Sequence, residues 1–266
     1  METGQLFLMP NKNNSITLTD SSIHLFVNGF SFCTPSKIEF IPTPDGDEDF
    51  KSALTELLGF YPKGTFEKAQ IISYHQPSTF VPANFFDKKL LPNYLRFLGK
   101  VNSESVINFD ELKEENTVNI YALPKSKLEI INDEIRETNL CHYNTLLYNE
   151  VMTLSKSGPK EHQLFVHLQQ GGMDLYLSEN ESILFQNHFS VKNEDEFLYY
   201  LFFVVEQYKL NSDTFQIVFL GQIKAFESYY KALTQYHSRI SFEESETCNS
   251  LEMEQHPAPF FAQSYT

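Results

Sequence analysis

Between residues 162 and 188 the chain gathers most of the side chains that could do chemistry. His162, His167, Gln169, Asp174 and His188 surround the double glycine Gly171-Gly172 in the stretch HLQQGGMDLYL. Two chemistries fit such a set. A glycine turn can aim several backbone N–H groups at a phosphate, and a carboxylate beside it can order the shell of Mg²⁺, which prefers hard oxygen ligands. Three imidazoles on adjacent strands could instead converge on a transition metal. No Cys or carboxylate stands at ligand spacing beside them, so cleft-edge or surface imidazoles are expected and no metal is assigned. Gly221 closes the apolar run FQIVFLG and either touches a ligand or simply permits a close strand-to-helix passage; the second reading is preferred. Cys141 and His142 are neighbours on one strand and point to opposite faces, which argues against a nucleophile–base pair and assigns Cys141 to the core. The acidic DGDEDF at 45–50 lacks the length and closing Glu of a calcium loop and reads as a solvated helix start. Nucleophile-elbow, zinc-protease and P-loop patterns do not occur.

Strands must carry the residues around the double glycine. Leu164, Val166 and Leu168 share one strand face, Met173, Leu175 and Leu177 the next, and Ile183, Phe185, Phe189 and Val191 a third, with turns at QQGG and SENES. NEDEFLYYLFFVVEQYKLN follows as a helix capped by Asn193, with apolar residues on nearly every face; it is expected to be buried on most sides, with Phe202 or Phe203 in the core. FQIVFLG reads as a central parallel strand, KAFESYYKALTQYH as a helix and RISFE as a last strand. The first half repeats this order more weakly, through SIHLFVNGFSFCTPSKIEFI, a helix over Phe50 to Leu58, the strands AQIISYH and TVNIYALP, and helices at SKLEIINDEI and TLLYNEVMTL. NFFDKKLLPNYLRFLG reads as helical with a break or restart at Pro92. Aligning Val27 with Val166 makes the chain two copies of a β-β-β-α-β-α-β unit. SKSGPK at 155–160 is the expected hinge, giving a first lobe over 1–155, a second over 161–250 and a tail over 251–266.

Composition limits the classes of function. With 41% apolar residues, 25 Phe and no Trp, the 266-residue chain can build real cores filled largely by Phe. A net charge of −15 without a cluster of Lys and Arg removes the electrostatic footprint of a nucleic-acid binder. Cys33, Cys141 and Cys248 lie far apart, unlike a zinc ribbon or a disulfide framework, and are read as thiols of a reducing cytoplasm. The first residues carry no basic-then-apolar leader, and the longest apolar run, FLYYLFFVV, falls well short of the roughly 20 residues that span a bilayer. The expectation is a cytoplasmic protein without membrane insertion. In the tail, Pro257 and Pro259 exclude helix, and the pair Phe260-Phe261 is expected to dock, on its own lobe in preference to a partner.

The duplicated α/β order resembles the actin-like ATPase superfamily, whose two lobes are ribonuclease-H-like. VNIYALP, CHYNTLL and NHFSVKNEDEFLYYLFFVVEQYKLNSDTFQIVFLGQI are similar to stretches of an uncharacterised bacterial family of unknown function with that fold, over about residues 15 to 242. The resemblance implies the fold and brings no activity. In active members each lobe supplies a glycine-bearing turn between its first two strands for phosphates, and an Asp ending the first strand for magnesium. Here His167 takes the place of that Asp in the second lobe and Gln169 the place of a Gly, leaving Gly171, Gly172 and Asp174. The first lobe offers only Asn28-Gly29, and Gly221 stands where a glycine-rich strand end would lie against adenosine. The expectation is therefore a degenerate cleft with no cofactor, in a non-catalytic interaction or scaffold protein with an unknown protein partner. The alternative is an ATPase or small-molecule kinase that binds ATP with Mg²⁺ in an unorthodox cleft. A ribonuclease-H-like nuclease is excluded, because only Asp174 is near the cleft and the charge would repel its substrate.

Overall fold

The structure, a computed structural model, describes residues 22–34, 37–44, 46–60, 68–98, 101–243 and 256–258. The leader reading of the first residues, Cys248 and the Phe260-Phe261 pair lie outside the described residues. The chain begins with strands β1 (Ser22–Phe26), β2 (Gly29–Thr34) and β3 (Lys37–Pro42), then helix α1 (Asp47–Gly59) and strand β4 (Lys68–Ser73). After an insertion come β8 (Glu137–His142) and α4 (Tyr143–Ser157). The second half runs β9 (Gln163–Gln169), β10 (Gly172–Glu179), β11 (Ser182–Ser190), α5 (Glu194–Gln207), β12 (Gln216–Leu220), α6 (Glu227–Thr234) and β13 (Ile240–Glu243).

These elements build two five-stranded sheets of one design, β3-β2-β1-β4-β8 and β11-β10-β9-β12-β13. In each, the first strand is central, antiparallel to the second and parallel to the fourth. The equivalence is set by register: Phe26 faces Gly29 across the first turn as Gln169 faces Gly172 across the second. Val27 therefore corresponds to Gln170, not to Val166 as hydrophobic matching alone suggests. Gly29 is required at its turn, because a Cβ there would run into the backbone oxygen of Ile41.

The insertion is only partly legible in the sequence. Between β4 and β8 lies a separate antiparallel sheet, β5 (Ser78–Pro82), β7 (Thr117–Pro124) and β6 (Ser105–Leu112), with α2 (Leu91–Leu95) and α3 (Lys125–Glu134). TVNIYALP is thus the centre of the inserted sheet, and the lobe's own fifth strand is ETNLCH. Pro92 starts the short helix α2 and does not break a longer one, since its missing N–H is not needed in a first turn.

Alternation along each strand sorts side chains into layers. Ile23, Leu25, Phe30 and Phe32 face α1 and the end of α3, where Phe50, Leu54, Leu57 and Ile131 complete one core. Leu164, Val166, Met173 and Leu175 face α5 and α6 in a second. The opposite faces of both sheets meet α4 in a third core that joins Phe26, Ile72 and Tyr74 of the first sheet to Phe165, Tyr176 and Val218 of the second. Tyr143, Leu147, Val151 and Met152 of α4 lie between them, so the expected hinge at 155–160 begins inside a packed helix, with Ser155 buried.

Helix α5 departs from expectation. Its start is as the sequence dictates: the Asn193 side chain accepts the Glu196 N–H at 2.9 Å, behind an acidic first turn. Yet only Phe197, Leu201 and Val204 are buried, while Tyr199 and Phe203 are 64% and 50% exposed and Phe202 is half-buried. The outer rings cover one another, Tyr199 against Tyr200 and Phe202 against Tyr236. Apolar content around the whole helix therefore overstated its burial.

Candidate functional site in the cleft between the sheets

The β9–β10 hairpin turns on Gln170-Gly171, with Gly171 at φ 80°, a conformation that suits glycine. Because Gln169 pairs with Gly172, His167 necessarily faces Asp174, and the next strand brings His188 to the other side of Asp174. The expectation that no carboxylate accompanies these histidines is overturned here, since spacing along the chain hides what cross-strand register places side by side. His167 Nδ1 donates to Asp174 Oδ2 at 2.9 Å and His188 Nδ1 to Asp174 Oδ1 at 2.9 Å. His167 is fully buried, not a surface imidazole, whereas His162 stands apart, 3.2 Å from Glu179.

Two further donors complete the shell of Asp174. The Tyr143 hydroxyl, carried by the first residue of α4, donates to Oδ1 at 2.8 Å, and Gln169 Nε2 donates to Oδ2 at 3.0 Å. Each carboxylate oxygen thus accepts two protein hydrogen bonds inside a fully buried site. Burial alone would push the carboxyl up; the charge of His188 and the hydrogen bonds from His167 and His188 outweigh it and hold the group well below the usual carboxylate range. Burial and Asp174 push the Tyr143 phenol up, so it remains a donor. Gly172 closes this shell sterically, because a Cβ there would lie 2.6 Å from His188 Cε1. Gly172→Ala should displace the His188 ring from Asp174 and cost about 1–3 kcal/mol. A denaturant midpoint equal to wild type would show that the ring is free to move.

The first lobe presents the matching positions. His24 faces Ser31 as His167 faces Asp174. At the Val27-Asn28 turn Lys127 is directed at main-chain carbonyls, 2.9 Å from Phe26 O and 3.3 Å from Val27 O. Into the space between the two turns comes the segment His256–Ala258. His256 Nε2 lies 2.6 Å from Ser31 Oγ, its ring packs edge-on against Phe26, and Ala258 is fully buried in the central core. The Gln170 N–H, at the tip of the second turn, donates to Pro257 O at 2.8 Å.

Gly221 plays a different part from the other candidates. At φ 85° it ends β12, donates its N–H to Glu243 O at 2.7 Å and accepts the Tyr230 hydroxyl, a strand-to-helix passage held by its own neighbours. Of the residues singled out in sequence, the structure brings His167, Gln169 and Asp174 into one hydrogen-bonded cluster with Gly172 against it. Gly171 stays at the turn tip with open space around it, and Gly221 serves the β12–α6 junction.

A family model described as "Protein of unknown function (DUF3822)" matches residues 13–240. The chain belongs to this family. Among solved structures, this DUF3822 chain is similar to a Bacteroides thetaiotaomicron protein described as having an actin-like ATPase fold and unknown function. The two share 17% identity over 89% of this chain and 95% of that one, with a TM-score of 0.73. A second similar structure is that of the PilM-PilN type IV pilus biogenesis complex, at 11% identity over 94% of this chain and 97% of that one, with a TM-score of 0.56. The actin-like fold, with its two ribonuclease-H-like lobes, is thereby shown. No curated protein matches the sequence.

Sequence reasoning missed a second polar cluster of this DUF3822 protein, at the start of α4. The half-buried Asp110 of β6 accepts the Thr145 hydroxyl at 2.6 Å, the His142 N–H at 2.8 Å and the Tyr121 hydroxyl at 3.0 Å. Its carboxyl is raised by burial, against the pull of these three donors. His142 is pushed down to about 4 by burial and caps α4 by accepting the Asn144 N–H on Nδ1. Its strand neighbour Cys141 points the other way, takes a 3.1 Å contact from Gln70 Nε2, and is half-buried, packed against the central core as expected. The signal was the polar run His-Tyr-Asn-Thr opening an apolar helix, a capping pattern in which every polar group needs a partner.

Proposed function

We propose that this protein is a non-catalytic interaction or scaffold module of actin-like fold, with a degenerate nucleotide cleft and no nucleotide cofactor. The observation that carries the reading is the closed shell of Asp174. Both oxygens of the one acidic group beside the glycine turn are taken by four protein donors, so a hydrated Mg²⁺ would have to displace buried hydrogen bonds to reach it. The Gln170 N–H, which a phosphate would need, is given to Pro257 O, and the matching strand position of the first lobe holds His24, a nitrogen ligand where a hard cation prefers oxygen. PilM, a protein of similar fold, is seen in a complex with PilN, which is in keeping with a protein partner for this module. Among the described residues no helix is long and apolar enough to cross a membrane. A bacterial cytoplasmic setting is part of the same proposal.

The test is nucleotide binding. A ligand at 100 times its dissociation constant adds about 2.7 kcal/mol, roughly 5 to 11 °C of melting temperature for a chain of this size. Millimolar MgATP is expected to leave the melting temperature unchanged, and a fluorescent ATP analogue to show no saturable signal. A rise of several degrees that Gly171→Val or His167→Ala removes would replace the scaffold reading with that of an ATPase or kinase.

A further inference from the structure

His24 of β1, Cys33 of β2 and His256 of the docked segment offer ligand atoms that all lie within 4.8 Å of one another, and all three residues are buried. Sheet register explains the first two: His24 faces Ser31 and Ser22 faces Cys33, so the four side chains share the cleft face of the first sheet. The third comes from more than two hundred residues away, which is why spacing along the chain does not reveal the set. We propose that His24, Cys33 and His256 form a three-ligand site for a borderline or soft transition-metal ion, zinc being the best fit, that fastens the 256–258 segment to the first lobe. The proposal is independent of whether the cleft binds nucleotide.

Three observations favour a metal over a plain polar core. Cys and His are ligand types that zinc takes, and the three here would leave one tetrahedral position for a further donor. His24 is fully buried, and its Nδ1 is a buried polar atom without a hydrogen-bond partner. Its other nitrogen, Nε2, lies 2.9 Å from Ser22 Oγ, and His256 Nε2 lies 2.6 Å from Ser31 Oγ. Ligation of both rings through Nδ1 would retain these serine bonds, the outer contacts that orient ligating imidazoles. The cost is the 3.1 Å bond that His256 Nδ1 now accepts from the Ala258 N–H. A second cost falls on Cys33, whose thiol burial keeps protonated: thiolate ligation would release one proton to solvent.

The experiment uses the full chain, freed of metal by a chelator, titrated with Zn²⁺ against a chromophoric competitor and separately with Co²⁺. One equivalent of each should bind, and the cobalt form should show a thiolate-to-metal charge-transfer band. Cys33→Ser should abolish that band, and His256→Ala, which lies outside both sheets, should weaken zinc binding by more than the 10- to 100-fold typical of losing an outer contact. Zinc should also protect the chain beside residues 256–258 from protease in the wild type and not in His256→Ala. Absence of a charge-transfer band, or zinc binding unchanged in His256→Ala, overturns the proposal. Should Cys33→Ser fail to fold, His256→Ala and the cobalt spectrum of the wild type decide it alone.

Discussion

Replacing Asp174 by Ala should lower the stability of the protein by about 3–5 kcal/mol, because it removes a buried ionised acceptor and strands its donors. Tyr143, His167, Gln169 and His188 would all lose a partner, the first two in full burial. Denaturant unfolding measures the effect directly, and a loss under 1 kcal/mol would mean that the four donors find other acceptors. The effect has a defined pH signature. The folded Asp174 carboxyl titrates well below its unfolded value of about 3.9. Its contribution is therefore complete above pH 4 and declines as the pH falls below that value toward the folded pKa. The stability gap between wild type and Asp174→Ala should narrow as solutions are acidified below pH 4; a gap constant down to pH 2.5 would show that the ionised form is not what the donors stabilise.

On α5 two phenylalanines six residues apart should behave oppositely. Phe197→Ala empties a fully buried position between Phe219 and Tyr229 and should cost about 3–5 kcal/mol. Phe203→Ala trims a half-exposed ring that stacks on Tyr199 and should change stability by about 0.5 kcal/mol or less. Melting curves of the two single variants suffice. Equal losses would show that the outer aromatic face of α5 is packed in solution and not exposed.

Period-two alternation in LFVHLQQGGMDLYL made β9 and β10 readable, and the position of the double glycine set their register. The pairing of His167 with Asp174 was already implied by those two facts, since residues equally distant from a two-residue turn face each other. What the sequence could not supply was Tyr143, which reaches Asp174 from a helix in the other half of the chain, and the docking of His256–Ala258, where proline only says that the segment is not helical. β8 and β6 were missed for a physical reason. ETNLCH is an edge strand in which only His142 is buried, and SVINFDEL is half-buried on nearly every residue, so neither carries the apolar face of a strand buried on one side.

The Gln170–Pro257 hydrogen bond has a consequence for biosynthesis. Residues 256–258 follow every other described element in the chain, so they leave the ribosome after both sheets have been made. Until they emerge, the nascent protein lacks the contacts that these residues make with Phe26, Ser31 and Gln170. A ribosome stalled shortly before residue 256 would display Phe26 without its His256 cover to any chaperone in reach.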